Sequence, residues 1–416
     1  MLEQYFSNPT KRTKQITSVL VVLIVAIVGT YLLVGSHAAT PYASITADKG
    51  TLTGAATKQT CSGASDGSCV MFGSSSSSNK LIVGMNDIVG FGAAIAGTQP
   101  ESCKGANPCY LSTMYINSGV TWARDNINQG DSGSMSLINA SWARPAGLNI
   151  LPVYESGNDG DGNCLAGTPG QVTSDMSTIL PALKADNIHV LEMCNESYLT
   201  FCAAQYAPLY NAAHQAIASF DAQNNYKITL LSVEGTDYYQ SNGWNVAQGQ
   251  GFTKTCASHD WFTDLAANLP GGAAEVDGFT LHPYPHNEAP DGSNINAGGP
   301  NGDGTWWGMI PTQHTEAVNA GFANQPWWIT EAGIQSSDVN SDAVKGQYLQ
   351  YMLNDIIAGH YPWIKAFFWF SSAGDGTNPD WGILNQPSAN PFEIQERGSF
   401  NGLQTWMTQH AGSTND

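Results

Sequence analysis

Two acidic side chains stand where the sequence predicts the ends of buried strands. Residues 326–333 are aromatic and β-branched until they reach Glu331, and an alanine and a glycine follow. Residues 189–196 (HVLEMCNE) end in the same way, at Asn195 and Glu196. Parallel strands deliver the residues at their carboxyl ends to one edge of a sheet. Two carboxylates brought together in this way are the minimum that hydrolysis of a glycosidic bond requires.

The composition limits the partners of the chain. Its 416 residues carry a formal net charge of −19 at pH 7, and only 12% of them are charged. Such an acidic surface repels nucleic acid and anionic lipid, so neither is predicted as a partner. The 12 Trp and 16 Tyr residues suffice for sugar-stacking surfaces in addition to a core.

Residues 1–38 are predicted to direct export. Lys11, Arg12 and Lys14 precede an apolar run over residues 19–34, and the small residues at 36–39 (SHAA) could be cut by a signal peptidase. The positive flank places the N-terminus in the cytoplasm and the rest of the chain outside. The segment is either a cleaved signal peptide or a signal-anchor helix. The protein is therefore predicted to be extracellular, secreted or tethered to the membrane by this helix alone.

Eight cysteines in an exported chain predict disulfides. Cys61 with Cys69, and Cys103 with Cys109, are close enough in sequence to close small loops. No two cysteines have the Cys-x-x-Cys spacing and the histidines are scattered, so no metal site is predicted. The pairing stays open for four cysteines: Cys164, Cys194, Cys202 and Cys256.

Residues 39–80 form a segment rich in Ser, Gly, Thr and Ala. Within it, residues 47–54 and 64–73 resemble the opening strands of β-sandwich carbohydrate-binding modules. The rest of such a module is absent from the segment, and two strands alone cannot bury a core. A β-hairpin is therefore predicted here.

Residues 81–412 are predicted to form a (β/α)8 TIM barrel. Eight short apolar runs alternate with amphipathic or Ala-rich stretches, as in eight consecutive βα units. A doubly wound sheet would need a G-x-G-x-x-G fingerprint that residues 84–92 lack. The predicted strands cover residues 81–85, 120–124, 149–154, 189–195, 227–233, 276–282, 327–330 and 366–370. The predicted helices cover residues 174–185, 206–220, 312–323, 342–357 and 400–409.

The ends of these strands carry further candidate site residues. Any one of them has an ordinary structural explanation, but together on one barrel they indicate a substrate site. Besides Glu331 they are Arg124 on the second strand, Asn195 and Glu196 on the fourth, His282 and Tyr284 on the sixth, and Trp369 on the eighth. Trp306 and Trp307 lie in a Gly-rich loop after the sixth strand, where an exposed pair would form a sugar platform.

This combination resembles the clan A glycoside hydrolases, which include cellulases, β-mannanases, β-xylosidases and β-1,3-glucanases. Residues 191–196 (LEMCNE) stand where many members have Trp-Glu-x-Gly-Asn-Glu, and residues 329–333 (ITEAG) match the usual Thr-Glu-x-Gly. The chain departs from the pattern at Leu191, in place of Trp, and at Cys194, in place of Gly. The family within the clan stays open.

The resemblance implies a role for each catalytic carboxylate. Glu331 would be the nucleophile and Glu196 the acid/base, while Asn195 would bind the 2-hydroxyl of the sugar under attack. The chemistry agrees, since one carboxylate must stay ionised opposite the anomeric carbon while the other holds a proton for the leaving oxygen. The negative charge of Glu331 would favour the protonated form of Glu196 until Glu331 is esterified.

The resemblance also implies roles for the other strand-end residues. His282 and Tyr284 match a His-x-Tyr pair whose Tyr hydroxyl commonly touches the nucleophile. Arg124 matches an arginine near that same carboxylate, and Trp369 matches the platform beneath the −1 sugar. Positive charge and a hydroxyl donor beside Glu331 would depress its pKa.

These inferences predict a retaining glycoside hydrolase, monomeric and without a cofactor, that acts on β-linked poly- or oligosaccharides. A metal-dependent hydrolase or an aldolase would need several His or Asp ligands or a Lys at the strand ends, where only His282 is found. A catalytically weak glycan-binding surface protein stays open as the alternative. The presence of both Glu196 and Glu331 favours the enzyme, because binding alone does not need the pair. The sequence leaves open the sugar, its linkage and the choice of exo or endo action.

Overall fold

The computed structural model describes residues 56–60, 68–72, 80–86, 118–128, 148–155, 167–199, 201–233, 256, 260–285, 307–339, 341–374, 380–385, 395–411 and 414–415. The chain divides into two compact units, residues 1–78 and residues 79–416. In the first unit, the strands Ala56–Thr60 and Ser68–Phe72 pair antiparallel. The second of them falls within the stretch predicted over residues 64–73, whereas residues 47–54 lie outside the described part.

The second unit contains a closed barrel of eight parallel strands, as predicted. Each strand pairs with the next along the chain and the eighth pairs with the first, so the sheet closes on itself. The strands are β1 (Leu81–Asn86), β2 (Trp122–Asn128), β3 (Asn149–Glu155), β4 (Val190–Met193), β5 (Thr229–Ser232), β6 (Gly278–Leu281), β7 (Trp327–Ala332) and β8 (Ile364–Trp369). A two-residue strand, Thr414–Asn415, adds to the start of β1.

Six helices belong to the described part of this unit: α1 (Pro169–Ala185), α2 (Ala203–Asn224), α3 (Trp261–Asn268), α4 (Ile310–Asn319), α5 (Asp342–Ile357) and α6 (Gly398–Gln409). Their starts follow local capping chemistry. The side chain of Thr168 accepts from the backbone of Gln171, and proline follows it at the first helical position, so α1 begins earlier than predicted. The sequence did not predict α3, which is only eight residues long.

The two faces of the barrel sheet bury different side chains. Alternate residues of a strand point to opposite faces, so Phe368 faces the barrel interior while Phe367 and Trp369 face the helices. The interior cluster contains Leu151, Val190, Leu231, Trp328, Ala366 and Phe368. The larger cluster fills the layer between strands and helices. The register between β7 and β8 shifts between Ile329 and Ala332, so the alternation that places Trp328 in the interior does not extend unchanged to Glu331.

The predicted export segment, residues 1–38, lies outside the described residues. Within the described residues, no helix combines the length and the apolar character that a membrane crossing requires. Cys202, at the start of α2, forms a disulfide with Cys256, which settles one pairing that the sequence left open.

Candidate active site

Glu196 and Glu331 meet at the C-terminal end of the barrel, as their strand positions predicted. Ligand atoms of Glu196, His282 and Glu331 all lie within 4.8 Å of one another. His282 Nδ1 is 2.9 Å from Glu196 Oε1 and 3.8 Å from Glu331 Oε2. Its Nε2 is 3.0 Å from Thr330 Oγ1, which fixes the plane of the ring. The imidazole thus stands between the two carboxylates.

Both oxygens of Glu331 accept strong hydrogen bonds. Arg124 Nη1 donates to Oε1 at 2.6 Å, and the Tyr284 hydroxyl donates to Oε2 at 2.6 Å. Burial alone would raise the pKa of Glu331, but the charges of His282 and Arg124 and these hydrogen bonds outweigh it and lower the pKa. Burial and the charge of Glu331 raise the pKa of Tyr284, so its hydroxyl stays a donor. Glu331 is therefore held ionised and fixed in orientation.

Arg124 connects Glu331 to the rest of the barrel mouth. Its Nε and Nη2 bind the two oxygens of Glu192 at 2.6 and 2.7 Å. It also donates to Asn86 Oδ1 at 2.8 Å and to Asn195 Oδ1 at 2.9 Å. Burial alone would lower the pKa of Arg124, but Glu192 and Glu331 raise it, so the guanidinium remains charged. One planar cation thereby orients several acceptors at once.

Asn86 and Glu192 also belong to this network. Glu192 is fully buried and Asn86 is 1% exposed. Asn86 Nδ2 donates to the carbonyl of Thr330 at 2.6 Å, directly beside Glu331. Strand alternation indicates their position. Each lies two residues after a strand residue that faces the barrel interior, and side chains two residues apart share a face.

Glu196 lies in a turn with unusual backbone geometry. The φ angles of Cys194 and Glu196 are 68° and 43°, in the left-handed region that favours glycine. Cys194 is fully buried and disulfide-bonded, and its partner is neither Cys202 nor Cys256, because those two pair with each other.

An aromatic group borders the carboxylates. The ring centroid of Tyr284 lies 6.3 Å from that of Phe370 and 5.0 Å from that of Trp381, and the last two rings are 5.9 Å apart. All three side chains are partly exposed. Phe370 directly follows β8 and continues its interior face, so it occupies the position predicted for a sugar platform.

The prediction that Trp369 is this platform is wrong. Trp369 is fully buried in the layer between the barrel and the helices. The alternation of the strand turns it away from the mouth, and the next residue, Phe370, takes its place.

The prediction of a substrate platform at Trp307 is also wrong. Its side chain is fully buried, packs against Tyr361 and Phe367, and donates from Nε1 to Asp355 Oδ2 on α5 at 2.9 Å. It therefore belongs to the core around the barrel. Trp306 lies outside the described residues.

The carboxylates and His282 are close enough to hold a metal ion. A cation would have to share the oxygens of Glu331 with Arg124 and Tyr284, each of which donates to one of them. It would also face the charge of the guanidinium at close range. The donor set around Glu331 therefore suits an ionised nucleophile better than a metal ligand.

No protein-family model matches the chain, and no curated protein matches it. Similar solved structures include a glucosidase from Croceicoccus marinus, with 12% identity and a TM-score of 0.49, over 79% of this chain and 67% of that one. Another is Saccharomyces cerevisiae Gas2p in complex with laminaripentaose, with 11% identity and a TM-score of 0.42, over 72% and 58%. A GH5 cellulase from an Icelandic hot spring isolate has 14% identity and a TM-score of 0.44, over 79% and 88%. The matched region thus spans less than two thirds of Gas2p. At such identities the similarity concerns the fold alone.

Proposed function

We propose that this protein is a retaining glycoside hydrolase of β-linked poly- or oligosaccharides, with Glu331 as nucleophile and Glu196 as acid/base. The main support is the unequal environment of two adjacent carboxylates. Glu331 is ionised and held by Arg124 and Tyr284. Glu196 is more exposed and contacts an imidazole. Glycoside hydrolysis with retention requires this division of roles.

In the first step, Glu331 attacks the anomeric carbon and the bond from that carbon to the leaving oxygen breaks. Glu196 gives its proton to the departing oxygen, and the glycosyl group becomes an ester of Glu331. Arg124 and Tyr284 fix the carboxylate, so little reorganisation is needed when it attacks. His282 keeps Glu196 directed towards the same space.

In the second step, Glu196 takes a proton from water, and the water oxygen attacks the anomeric carbon. The ester bond breaks and Glu331 is released as a carboxylate. The side chain of Glu196 is 25% exposed, against 11% for that of Glu331, which gives the base access to water. Two inversions at the same carbon leave the product with the configuration of the substrate.

The spacing of the carboxylates supports retention. One oxygen of Glu196 and one oxygen of Glu331 lie within 4.8 Å of each other. Retaining enzymes hold their carboxyl groups about 5–5.5 Å apart, whereas inverting enzymes need about 6.5–9.5 Å for an intervening water.

The surroundings of the carboxylates support a neutral sugar as substrate. Asn195 Oδ1 accepts from Arg124, which leaves the amide N–H groups as donors for a sugar hydroxyl. Phe370 offers a partly exposed ring next to the carboxylates. The acidic chain disfavours polyanionic glycans.

A panel of aryl β-glycosides and β-linked oligosaccharides, with products identified by mass, tests this proposal. We expect hydrolysis of at least one member, and NMR should show that the first product keeps the β-configuration. An α-anomer as the first product would contradict retention. Binding of oligosaccharides without any product would instead favour the glycan-binding alternative.

Export of the protein is part of the same proposal, on the strength of residues 1–38. Fractionation of cells that express the full chain should place the barrel outside the cytoplasm. The mass of the recovered protein then distinguishes cleavage after Ala39 or nearby from an intact anchor. Size-exclusion chromatography should give the mass of a monomer.

A further inference from the structure

The turn at residues 380–382 brings Trp381 to the edge of the candidate active site. The ring of Trp381 lies 5.0 Å from that of Tyr284, whose hydroxyl binds Glu331, and 5.9 Å from that of Phe370. It is partly exposed. A position on the Glu331 side places it near the sugar under attack rather than near the leaving group.

Two cations hold the backbone on both sides of Trp381. Lys345 Nζ donates to the carbonyls of Asp380 and Gly382 at 3.3 and 3.1 Å. Arg397 Nη1 donates to the same Gly382 carbonyl at 3.0 Å, and its Nη2 donates to Asp380 Oδ2 at 2.7 Å. The backbone of Gly382 in turn donates to Asp380 Oδ1 at 3.1 Å. These contacts fix the residues before and after Trp381.

This turn borders a cavity on one side and is followed by two buried core residues, Ile383 and Leu384. Asp380 and Arg397 line a cavity of about 620 Å³, together with Ser336, Asp342 and Glu396. Neither Glu196 nor Glu331 lines this cavity. The turn is held by backbone hydrogen bonds from Ser336 and Ser371 and by the side chains of Lys345 and Arg397.

Burial of Lys345 costs free energy, because it removes a charged amine from water. Its side chain is fully buried on α5, and burial lowers its pKa to about 8 despite nearby Asp380, Asp342 and Asp338. An apolar side chain of similar size would avoid this cost, but it would leave the carbonyls of Asp380 and Gly382 without this donor. The amine does what an apolar side chain cannot do, since it binds Ser336 Oγ after β7 and two carbonyls after β8.

We propose that Trp381 stacks on the sugar bound at Glu331, and that Lys345 and Arg397 are positioning residues that act through it. This inference rests on the proposed function and adds to it a contact for the attacked sugar. Tryptophan suits such a contact because its large apolar face matches the C–H face of a β-linked pyranose, while charged and polar groups stay at its edge.

The first test replaces the ring. Trp381→Ala should lower kcat/KM about tenfold for the aryl β-glycoside that the wild type hydrolyses fastest, and by a similar factor for oligosaccharides. The loss should not depend on the leaving group, because the contact is to the attacked sugar. Trp381→Phe should retain most of the activity. An unchanged kcat/KM in Trp381→Ala would overturn the proposal.

The second test asks whether Lys345 acts through Trp381. Lys345→Met keeps the aliphatic length, removes the donors and should raise KM more than it lowers kcat. In the Trp381→Ala background the same change should have no further effect, since the coupled contact is already absent. Losses that multiply in the double variant would show a general structural role and overturn the positioning assignment.

Lys365→Met is the matched control. Lys365 also donates to a backbone carbonyl, that of Pro362 at 3.1 Å, but near the start of β8. The kcat/KM of Lys365→Met should stay within about twofold of the wild-type value, as expected for a surface substitution. Thermal unfolding of every variant distinguishes a protein that no longer folds from a folded protein in which Trp381 is displaced.

Calorimetric binding of laminari- and cello-oligosaccharides to Glu331→Gln, with and without Trp381→Ala, separates the two proposals. Hydrolysis by the wild type with unchanged binding after Trp381→Ala would overturn the inference alone. Binding that needs Trp381, in a protein that cleaves nothing, would overturn the proposed function alone. Absence of both binding and hydrolysis would overturn both.

Discussion

The two carboxylates of the candidate site are held in opposite ways. Glu331 lies on β7, and both its oxygens accept hydrogen bonds of 2.6 Å. Glu196 lies in a turn after β4, with a left-handed backbone, one contact of 2.9 Å to His282 and a longer one of 3.4 Å from the Tyr198 hydroxyl. One carboxylate is fixed by a strand and strong donors, and the other by a strained turn.

This difference matches the demands of the two proposed roles. A nucleophile must be ionised and aimed, so burial among donors serves it. An acid/base must exchange protons with a leaving group and then with water, so partial exposure and a contact with an imidazole serve it. The predictions below test whether the asymmetry has this functional meaning.

The largest effect is expected for Glu331→Gln. The amide is a poor nucleophile, so turnover should fall below detection for every substrate, activated or not. Initial rates on aryl glycosides and oligosaccharides measure this. The glutamine keeps an oxygen where the carboxylate had one, and the fold is retained, so oligosaccharides should still bind. Residual turnover close to that of the wild type would remove Glu331 from the nucleophile role.

A smaller and substrate-dependent effect is expected for Glu196→Ala. Oligosaccharides should lose about 10²–10⁴-fold in rate because their leaving groups need a proton. Aryl glycosides with acidic leaving groups should keep the first step, and azide should restore their turnover by replacing the activated water. Equal loss on both kinds of substrate, with no response to azide, would refute the acid/base assignment.

The donors around Glu331 should control its ionisation. Tyr284→Phe removes one hydrogen bond, and Arg124→Met removes a charge, so each should cost about 1.5–3 kcal/mol in kcat/KM. The pKa of Glu331 is lowered in the folded protein, so activity should persist below the ordinary carboxyl range and be lost as pH falls through that lowered pKa. Both variants should move this acidic limb upward, and the profile of kcat/KM against pH measures the shift.

Arg124→Met leaves the buried Glu192 without its arginine partner and can therefore disturb the fold. Tyr284→Phe leaves that ion pair in place, so it serves as the control for folding. A full-length, folded Tyr284→Phe protein with an unshifted acidic limb would show that the hydroxyl does not support the ionised form of Glu331.

The smallest effect concerns the turn that presents Glu196. Cys194→Ala and Cys194→Gly both remove the same disulfide, but only glycine relieves the φ of 68°. We expect Cys194→Gly to be more stable than Cys194→Ala by about 1 kcal/mol and to retain more activity on oligosaccharides. Thermal unfolding and kcat/KM measure the difference. Equal stability of the two variants would mean that the backbone adjusts at no cost.

Much of the barrel could be predicted because its strands have a strong local pattern. Each of the eight barrel strands overlaps a predicted one, and strand ends placed Glu196, Glu331, Arg124 and Tyr284 in one region. The prediction failed at Trp369, where residues 367–370 (FFWF) are apolar throughout. Both faces of a barrel strand are buried, so hydrophobicity does not alternate and cannot show which ring faces the interior.

The sequence by itself determined the number of barrel strands and which strand ends carry carboxylates, because short-range hydrophobic pattern and strand length suffice for both. Only the tertiary structure decided which groups surround those carboxylates. The partners of Arg124 come from β1, β4, β7 and the turn after β4, and the turn of Trp381 depends on Lys345 from α5 and on Arg397. Such contacts join residues far apart in the chain, so they exist only once the barrel has closed.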